Sequence, residues 1–448
     1  MTRRTRRPAL AVAAAVALVA TACAGQGDDD ATDDTDANAT ETADGGDAAG
    51  SDEPVTIEWW HNSNNPPGRD VYEQAAEDFM TANPNVTIEI SAQAHEDMVT
   101  RLEAAMQAGD MPDIFMERGG GELLAKVDAG LIRDITDDAA ETIEKLGGSV
   151  AGWQVDDRTY ALPFSLGVVG FWYNTDLFQQ AGISEPPETL DDWVASVGAL
   201  KDAGIEPVSV GAGDAWPAAH YWYYAALRQC AQDVLTEALA SLDFSDECFV
   251  RAGETVQTIV EAEPFNAGFL TTVAQEGPTS ASGLLATGKV AMEMQGHWEP
   301  GVMQGLTEDG TGLGEQTGWF PFPSVPDAEG DPAAVLGGGD AWAASADAPD
   351  AAVDFIEYLL SDEVQQTFAE NSMGLPVNPA ATQFVADPAM AELLEVRDSA
   401  PYAQLYLDTY LGQSIGGALN EAVVDMFAGQ ASPQDIVDAL QEAVAAEQ

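Results

Sequence analysis

Residues 55–60 read Val-Thr-Ile-Glu-Trp-Trp, a β-branched and aromatic run that is typical of a buried strand. Downstream, similar runs alternate with segments of helical periodicity. Strands are predicted at 86–91, 113–116, 168–173, 207–210 and 290–295, and helices at 70–82, 95–108, 190–203, 350–360 and 362–370. Thr189 and Ser361 suit the N-termini of two of these helices. Strands that alternate with helices predict an α/β fold with doubly wound sheets.

Length and charge narrow the class of protein. A chain of 448 residues exceeds one ordinary hydrophobic core, so two lobes are expected. Only 16 Lys and Arg stand against 76 Asp and Glu, which gives a net charge of -60. Because such a surface repels phosphate groups, nucleic acid is not expected as a partner.

The first 22 residues predict a signal peptide. Four arginines within residues 3–7 precede an apolar run, 9–22, that is too short to span a bilayer. The run ends in Ala20-Thr21-Ala22-Cys23, which resembles the bacterial lipobox. Cys23 is therefore expected to carry a lipid that anchors the exported protein to the extracellular face of the cell membrane. The alternative is a plain secretory signal with an incidental cysteine.

Residues 23–53 predict a lipidated cysteine followed by a disordered acidic tether. Beyond Cys23 this segment contains no Val, Ile, Leu, Met or aromatic residue that could offset the entropy of ordering. Its Asp-rich run lacks the ligand pattern of a calcium loop. A solvated linker is therefore the interpretation that we favour.

The other cysteines and the histidines bear on metal binding. In an exported protein, Cys230 and Cys248 are expected to form a disulfide. The four histidines are scattered, and no CxxC or HExxH motif occurs. Neither a metal nor a cofactor is therefore expected.

Several short motifs follow one another along the mature chain. They are VTIEWWHN (55–62), NPNV (83–86), MPDIF (111–115), AGL (129–131), YNTDLF (173–178), TGKVAM (287–292), GHW (296–298) and the later segments 338–341 and 351–362. In this order, behind a lipobox, the set resembles the extracellular sugar-binding lipoproteins of bacterial ABC importers, the maltose-binding-protein-like solute-binding family. The stretches GGG (119–121) and GHWEPG (296–301) are similar to actinobacterial binders of xylobiose and other oligosaccharides.

The resemblance implies a fold of the periplasmic-binding-protein type II kind. Two doubly wound α/β lobes would be joined by a multi-crossing hinge, with a ligand cleft at the carboxyl ends of the strands. We expect the first lobe at 54–165 plus 324–374 and the second lobe at 166–323 plus 375–448. Crossings are expected at stretches rich in Pro or Gly, near 164–167, 320–324 and 374–376.

The resemblance also places candidate sugar ligands in the second lobe. Sugar C–H faces stack on aromatic rings, and sugar hydroxyls bind carboxylates, amides and guanidinium groups. Trp298, Trp216 and Asp214 match family positions for these contacts. Asp214 also precedes a Pro-led helix, so a helix N-cap is its alternative. On that helix His220 is a candidate for the cleft, whereas most of the aromatic residues 221–224 are expected in the core.

In the first lobe, two polar loops at strand ends occupy pocket positions of the family. One contains His61, Asn62 and Asn64, and the other contains Glu117 and Arg118. Either Glu117 or Arg118 has the alternative of an ion pair at the surface.

A third candidate segment follows the glycine run 337–339. A glycine such as Gly338 lets the backbone approach a ligand closely, and Asp340 would then bind it. Trp342 belongs either to the pocket or to the core.

The implied function is capture of a di- or oligosaccharide, with xylobiose as the first candidate, by a monomer that delivers it to an ABC permease in the membrane and is not an enzyme. The alternative is a cell-surface glycoside hydrolase or a carbohydrate-binding module. Residues 412–416, Gly-Gln-Ser-Ile-Gly, match the GxSxG pattern of hydrolases. An α/β hydrolase needs a histidine downstream of this serine, and none follows Ser414.

We expect Cys23→Ser to release the protein from the cell surface or to leave its precursor unprocessed, because the substitution removes the sulfur that would carry the lipid. Fractionation of cells and medium, with mass measurement of the N-terminus, reads the outcome against wild type. A normally processed variant that stays with the membrane contradicts lipid anchoring at Cys23.

Overall fold

The computed structural model describes residues 53–447. The predicted signal peptide, Cys23 and the tether as far as residue 52 lie outside the described residues. The strands are β1 (Val55–His61), β2 (Val86–Ala92), β3 (Ile114–Glu117), β4 (Gln154–Val155), β5 (Arg158–Thr159), β6 (Ala161–Val168), β7 (Gly170–Asn174), β8 (Glu206–Ser209), β9 (Val290–Gln295), β10 (Thr317–Phe320), β11 (Val335–Ala344) and β12 (Ala403–Leu405).

The helices follow the predicted periodicity. They are α1 (Gly68–Ala82), α2 (His95–Ala108), α3 (Gly120–Asp128), α4 (Ala140–Leu146), α5 (Thr175–Gln180), α6 (Leu190–Asp202), α7 (Trp216–Gln229), α8 (Gln232–Ser241), α9 (Glu247–Glu261), α10 (Ala281–Ala286), α11 (Glu299–Gly305), α12 (Asp350–Leu359), α13 (Asp362–Glu370), α14 (Pro388–Ser399), α15 (Leu407–Leu411), α16 (Gln413–Phe427) and α17 (Pro433–Glu447). Within residues 53–447, none combines the length and the apolar content that crossing a bilayer requires.

Hydrogen bonds at the helix starts confirm two predicted caps. The Thr189 hydroxyl accepts the Asp192 N–H at the start of α6, and the Ser361 hydroxyl accepts the Val364 N–H at the start of α13. Both bonds satisfy backbone donors that the first helical turn leaves unpaired. The predicted strands and helices agree with the observed ones to within two residues at each end.

A six-stranded sheet forms the first lobe. β1 pairs in parallel with β2 and with β3, and β11 continues the sheet antiparallel to β3. β11 also pairs antiparallel with β6 and in parallel with β12. β12 thus joins this sheet, although the prediction assigns the whole of 375–448 to the second lobe.

The first lobe is built on an aromatic core. Trp342 is 1% exposed, stacks on Phe164 with ring centroids 4.4 Å apart, and meets Trp59 edge to face at 5.1 Å. Tyr72 and Phe355 complete the cluster around Trp59. Trp342 is therefore a core residue, and the alternative that placed it in the pocket is wrong.

The second lobe contains a four-stranded sheet in the order β10-β7-β9-β8. Its core includes α7, α9, α16 and α17, and the aromatic residues 221–224 of α7 are all buried there, as predicted. The predicted disulfide is present: Cys230, directly after α7, is bonded to Cys248 near the start of α9, with a Cα–Cα distance of 5.1 Å. It fixes two helices of the same core.

The chain passes between the lobes close to two of the predicted crossings. β6 leads from the first core through Val169 into β7, and the Leu166 N–H donates to the Leu375 carbonyl. His297, at the end of β9, accepts the Leu375 N–H at 3.3 Å and lies 3.5 Å from the Ser165 hydroxyl. The junction of β6 with β7, the segment at Leu375 and the His297 side chain together form the hinge.

The third crossing lies later than predicted. Phe320 and Phe322 pack in the second core, and the Ser324 N–H donates to the Glu188 carbonyl. The passage occurs instead along β11, whose Leu336 belongs to the second core and whose Ala341 belongs to the first. Pro321 and Pro323 lie in an irregular segment of the second lobe, between β10 and the Ser324 backbone that pairs with Thr189.

Two buried carboxyl groups lie beneath the turn that joins β9 to α11. Glu293 and Glu299 are 1% and 0% exposed. The Ser282 hydroxyl donates to Glu299 at 3.0 Å, and the Gln295 amide donates to Glu293 at 3.1 Å. Burial raises the pKa of Glu299 to about 8, and burial together with the charge of Glu299 raises the pKa of Glu293 well above its ordinary value. The pair therefore retains protons at neutral pH.

We expect this pair to make the free energy of unfolding fall between pH 4.5, the ordinary glutamate value, and about pH 8. In this window the unfolded chain releases protons that folded Glu299 and Glu293 keep, so stability drops by up to about 1.4 kcal/mol per pH unit for each of the two groups. Glu299→Gln, which imitates the protonated form, should flatten the slope and raise the unfolding temperature at pH 8 but not at pH 4.5.

Thermal unfolding at a series of pH values measures this slope. Glu237→Gln, a change at an exposed position of α8, is the matched control and should keep the wild-type slope. Equal slopes for wild type and Glu299→Gln would show that Glu299 is ionised in the folded protein.

Candidate functional site

A cavity of about 180 Å³ lies between the two lobes, at the ends of β1, β3 and β9 and beside the middle of β11. From the first lobe it is lined by residues 62–68 with Tyr72, His95, Glu96, Arg118, Phe164, Ser165, Asp340, Phe368 and Met373. From the second lobe and the C-terminal segment it is lined by Trp216, His220, Gln275, Glu276, Trp298, Gly301, Val302, Leu306, Tyr406, Asp408 and Thr409. The cavity thus has one wall from each lobe.

Aromatic rings form the wall of the second lobe. Trp298 follows β9 and meets Trp216 and Tyr406, in each case at 6.3 Å between ring centroids. His220 lies against Trp216 at 5.2 Å and stacks on Tyr406 at 5.3 Å. Burial lowers the pKa of His220 to about 4, so its imidazole is neutral. This wall presents flat apolar rings with polar edges.

A strained backbone holds Trp216 in place. Ala215, the residue before α7, has a φ of 63°, which residues with a side chain rarely adopt. Its place at the helix start leaves Asp214 one residue too early to cap α7, and the Asp214 carboxylate instead accepts the Ala274 N–H at 2.6 Å. The N-cap alternative for Asp214 is therefore wrong, and its side chain lies beside the cavity rather than on the lining.

Charged groups form the floor on the side of the first lobe. Arg118 lines the cavity and is held by Glu122 at 2.5 Å in a two-pronged ion pair. Asp340 faces the same space, and burial raises its pKa to about 6 while the positive charge of Arg118 opposes that rise. Asp408, in the first turn of α15, adds a second lining acid from the C-terminal segment.

Two hydrogen bonds cross the cavity from lobe to lobe. The Trp216 indole N–H donates to Glu96 at 3.3 Å, and the Asn64 amide donates to Glu276 at 3.3 Å. Asn62 is held on its own side by His95 at 3.2 Å. The two walls are therefore close enough for a small ligand to contact both.

Seven of the predicted ligand residues line the cavity, and their contact with a ligand remains a prediction: Asn62, Asn64, Arg118, Trp216, His220, Trp298 and Asp340. The structure places others elsewhere. His61 is 1% exposed and packs against Trp59 and Tyr72, so it is a core residue. Glu117 is buried in an ion pair with Lys126 at 2.8 Å, which is neither a cavity position nor a surface pair.

Gly338 acts on the cavity indirectly. A Cβ atom at this position would lie 2.7 Å from the ring of Tyr406. The missing side chain thus admits the aromatic ring that lines the cavity, rather than the ligand itself as predicted.

Four lining residues were not predicted from the sequence: Glu96, Glu276, Tyr406 and Asp408. Glu96 and Glu276 lie in the first turn of α2 and in a loop, where acids are common for other reasons. Tyr406 directly follows β12 and Asp408 lies in the first turn of α15, and the approach of these short elements to the cavity depends on the pairing of β12 with β11 far along the chain. The only local signal was the polar and aromatic composition of 402–410.

The lining of the cavity suits a ligand that has both polar groups and apolar faces. Carboxylates, amides and one guanidinium group face aromatic rings. In the part of the chain that the structure describes, no group of three or more His, Cys, Asp or Glu side chains is arranged to hold a metal ion.

Comparison with known proteins gives the family. The model of the bacterial extracellular solute-binding protein family matches residues 62–366. An uncharacterized ABC transporter extracellular-binding protein of Pyrococcus horikoshii is 23% identical over 415 residues, which cover 86% of this chain and 85% of that protein. The lactose-binding protein of Rhizobium radiobacter is 25% identical over 322 residues, 66% of this chain and 68% of that protein.

A solved structure confirms the fold. It comes from work on xylan utilization by the thermophilic bacterium Caldanaerobius polysaccharolyticus and is 24% identical. The two chains superpose with a TM-score of 0.80, covering 86% of this chain and 99% of the other. The predicted type II fold is thus confirmed, and with a family match over most of its length the chain belongs to the bacterial extracellular solute-binding proteins.

Proposed function

We propose that this protein is the sugar-capturing component of an ABC transporter. It would hold a di- or oligosaccharide in the cavity between its lobes and deliver it to a membrane permease. The observation that carries the proposal is the pairing of two tryptophan rings on one wall with carboxylate and amide groups on the other. The lactose-binding relative and the structure from xylan utilization support the same class of ligand.

The aromatic wall suits the apolar faces of a sugar ring. Trp216 and Trp298 stand at 67° to each other, so the two rings can contact different faces or different units of one ligand. Trp298 is only partly buried, with its indole N–H enclosed and without a partner among the described residues. A ligand hydroxyl in reach would satisfy that donor.

The first lobe, together with Asp408 of the C-terminal segment, suits the hydroxyls at the edge of the ring. Asp340 and Asp408 accept hydrogen bonds, whereas Arg118 and Asn62 donate them. Bonds between a charged group and a hydroxyl contribute roughly 1.5–3 kcal/mol each when well formed. Xylobiose is the first candidate ligand, because the chain's motifs are similar to those of xylobiose binders.

Capture would proceed by closure of the lobes about the hinge. A ligand that touches both walls favours the closed arrangement, in which both can reach it. About 5.5 kcal/mol of preference for the closed state takes its population from 1% to 99%. A few hydroxyl bonds and two aromatic stacks are enough to supply this preference.

We favour a protein that binds the sugar without cleaving it over a glycoside hydrolase. The family and the superposed structure argue for a binding protein. A thermal-shift screen with xylobiose, cellobiose, maltose, trehalose, chitobiose and single sugars tests capture, since a ligand at 100 times its Kd stabilises by about 2.7 kcal/mol. Chromatography of each sugar after incubation tests cleavage. A screen without any shift, or recovery of hydrolysed sugar, contradicts the proposal.

We expect Trp298→Ala to weaken binding of the best ligand from this screen at least tenfold, about 1.4 kcal/mol, because it removes a stacking surface. Isothermal titration calorimetry measures the Kd. Tyr358→Ala, on α12 and away from the cavity, is the aromatic control and should keep wild-type affinity. Unchanged affinity of a cooperatively folded Trp298→Ala protein would remove Trp298 from the site.

A further inference from the structure

The cavity between the lobes carries a large excess of negative charge. Among its lining residues are the carboxylates of Glu96, Glu276, Asp340 and Asp408, whereas Arg118 is the one Lys or Arg side chain in that described lining. The charge of Arg118 is already engaged by Glu122. The two histidines of the lining do not offset the acids, since burial lowers their pKa to about 3 for His95 and about 4 for His220.

Three acids from both lobes lie close enough to influence one another, in the part of the cavity that Trp216 lines. Glu96 of α2 accepts the Trp216 indole N–H, Asp214 lies two residues before Trp216, and Glu276 accepts from Asn64. The charges of Asp214 and Glu276 both raise the pKa of Glu96, and the charge of Glu276 raises the pKa of Asp214, in each case after burial. The three carboxylates therefore repel one another electrostatically across the cleft.

No described Lys, Arg or His forms an ion pair with any of these three acids. Like charges that share a partly buried site repel one another, and Glu96 faces the other two acids from the opposite lobe. A cation placed among them would remove that repulsion. The described residues thus supply no positive partner for the three acids, and a ligand could.

A buried polar atom next to Trp216 also lacks a partner. His220 lines the cavity, is 3% exposed and packs on Trp216 with ring centroids 5.2 Å apart. Within residues 53–447, its Nδ1 atom has no hydrogen-bond partner. Burying such a group unsatisfied costs free energy, and a ligand with polar substituents would satisfy it. This atom therefore points to a polar ligand in the part of the cavity that Trp216 lines.

We propose that Glu96, Asp214 and Glu276 form, with the ring of Trp216, a cation subsite that selects sugars carrying a protonated amine. The inference rests on the proposed function and narrows its ligand class. Carboxylates attract the ammonium group, and the face of a tryptophan ring attracts cations as well. The cavity should therefore prefer amino sugars to neutral sugars and reject sugars that carry a carboxylate. Xylobiose is neutral, so its affinity should lie between that of an amino sugar and that of a sugar with a carboxylate.

A matched series of β-1,4-linked disaccharides tests the inference by calorimetry at pH 6 in low salt. Its members are the glucosamine dimer, its N-acetylated form, cellobiose and cellobiuronic acid, which differ chiefly in the charge of their substituents. We expect the glucosamine dimer to bind at least tenfold more tightly than cellobiose or the acetylated dimer, and cellobiuronic acid to bind at least tenfold more weakly. The advantage of the amine should shrink as salt is added.

Substitutions locate the subsite. Glu276→Gln keeps the size of an exposed side chain and should reduce the amine's advantage to less than threefold, while the affinity for cellobiose changes little. Glu96→Gln, which can still accept from Trp216, should act in the same direction. Glu237→Gln, an equal change of charge far from the cavity, should keep the full tenfold advantage.

The outcomes separate this inference from the proposed function. Binding of cellobiose or another neutral sugar as tightly as the glucosamine dimer overturns the inference and leaves sugar capture standing. An amine preference that Glu276→Gln and Glu96→Gln leave intact also overturns it. Calcium chloride alone is the remaining probe: stabilisation by calcium that Glu276→Gln abolishes would identify a metal site instead. Failure of every sugar, neutral or charged, would contradict the proposed function itself.

Discussion

The close contact between β11 and its neighbours is the constraint on which the rest of the molecule depends. A side chain at Gly339 would overlap the carbonyl oxygen of Ser165 in β6, and a Cβ atom at Gly337 would lie 2.5 Å from the carbonyl oxygen of Gly167. Only glycine lets two backbones approach so closely. Because the backbones are so close, β11 can pass from the core of the second lobe into the core of the first lobe. Asp340 directly follows its glycine run and faces the cavity. Hinge and cavity floor thus share one strand.

The same packing connects the hinge to the aromatic wall. His297 lies against Ser165 and Leu375 of the crossings and is followed directly by Trp298. A Cβ atom at Gly374 would lie 3.0 Å from the Nδ1 atom of His297, so this contact also requires glycine. A change in the angle between the lobes would therefore shift the backbone next to Trp298. This arrangement offers a physical route from ligand contact to the relative position of the lobes.

The fold could be predicted well from the sequence, and the cavity only in part. β1, α1 and α6 carry strong periodicity and a recognisable start, so local propensity and tertiary packing favour the same structure. β12 has three residues and is defined only by pairing with β11, more than 60 positions earlier. Segments that short carry little local signal.

The candidate site shows the same division. Trp298 was predicted at the cavity because it matches a position of the family and follows the strand at 290–295, and it does line the cavity. Glu96 and Asp408 were missed because acids are common in this chain, and their role depends on which lobes and loops meet. His61 and Trp342 were assigned to the pocket or left open, yet both complete the first core through contacts with Trp59. Both residues lie within strands, where successive side chains point to opposite faces of the sheet, and these two side chains point to the core face.

Small-angle X-ray scattering, with and without the best sugar from the thermal screen, tests the central claim most directly. Capture between two lobes predicts a smaller radius of gyration at saturation, because the ligand stabilises the closed arrangement. The same titration with Trp298→Ala should need a higher sugar concentration to reach the same end point. A radius of gyration that stays unchanged when calorimetry shows full occupancy would contradict capture by lobe closure.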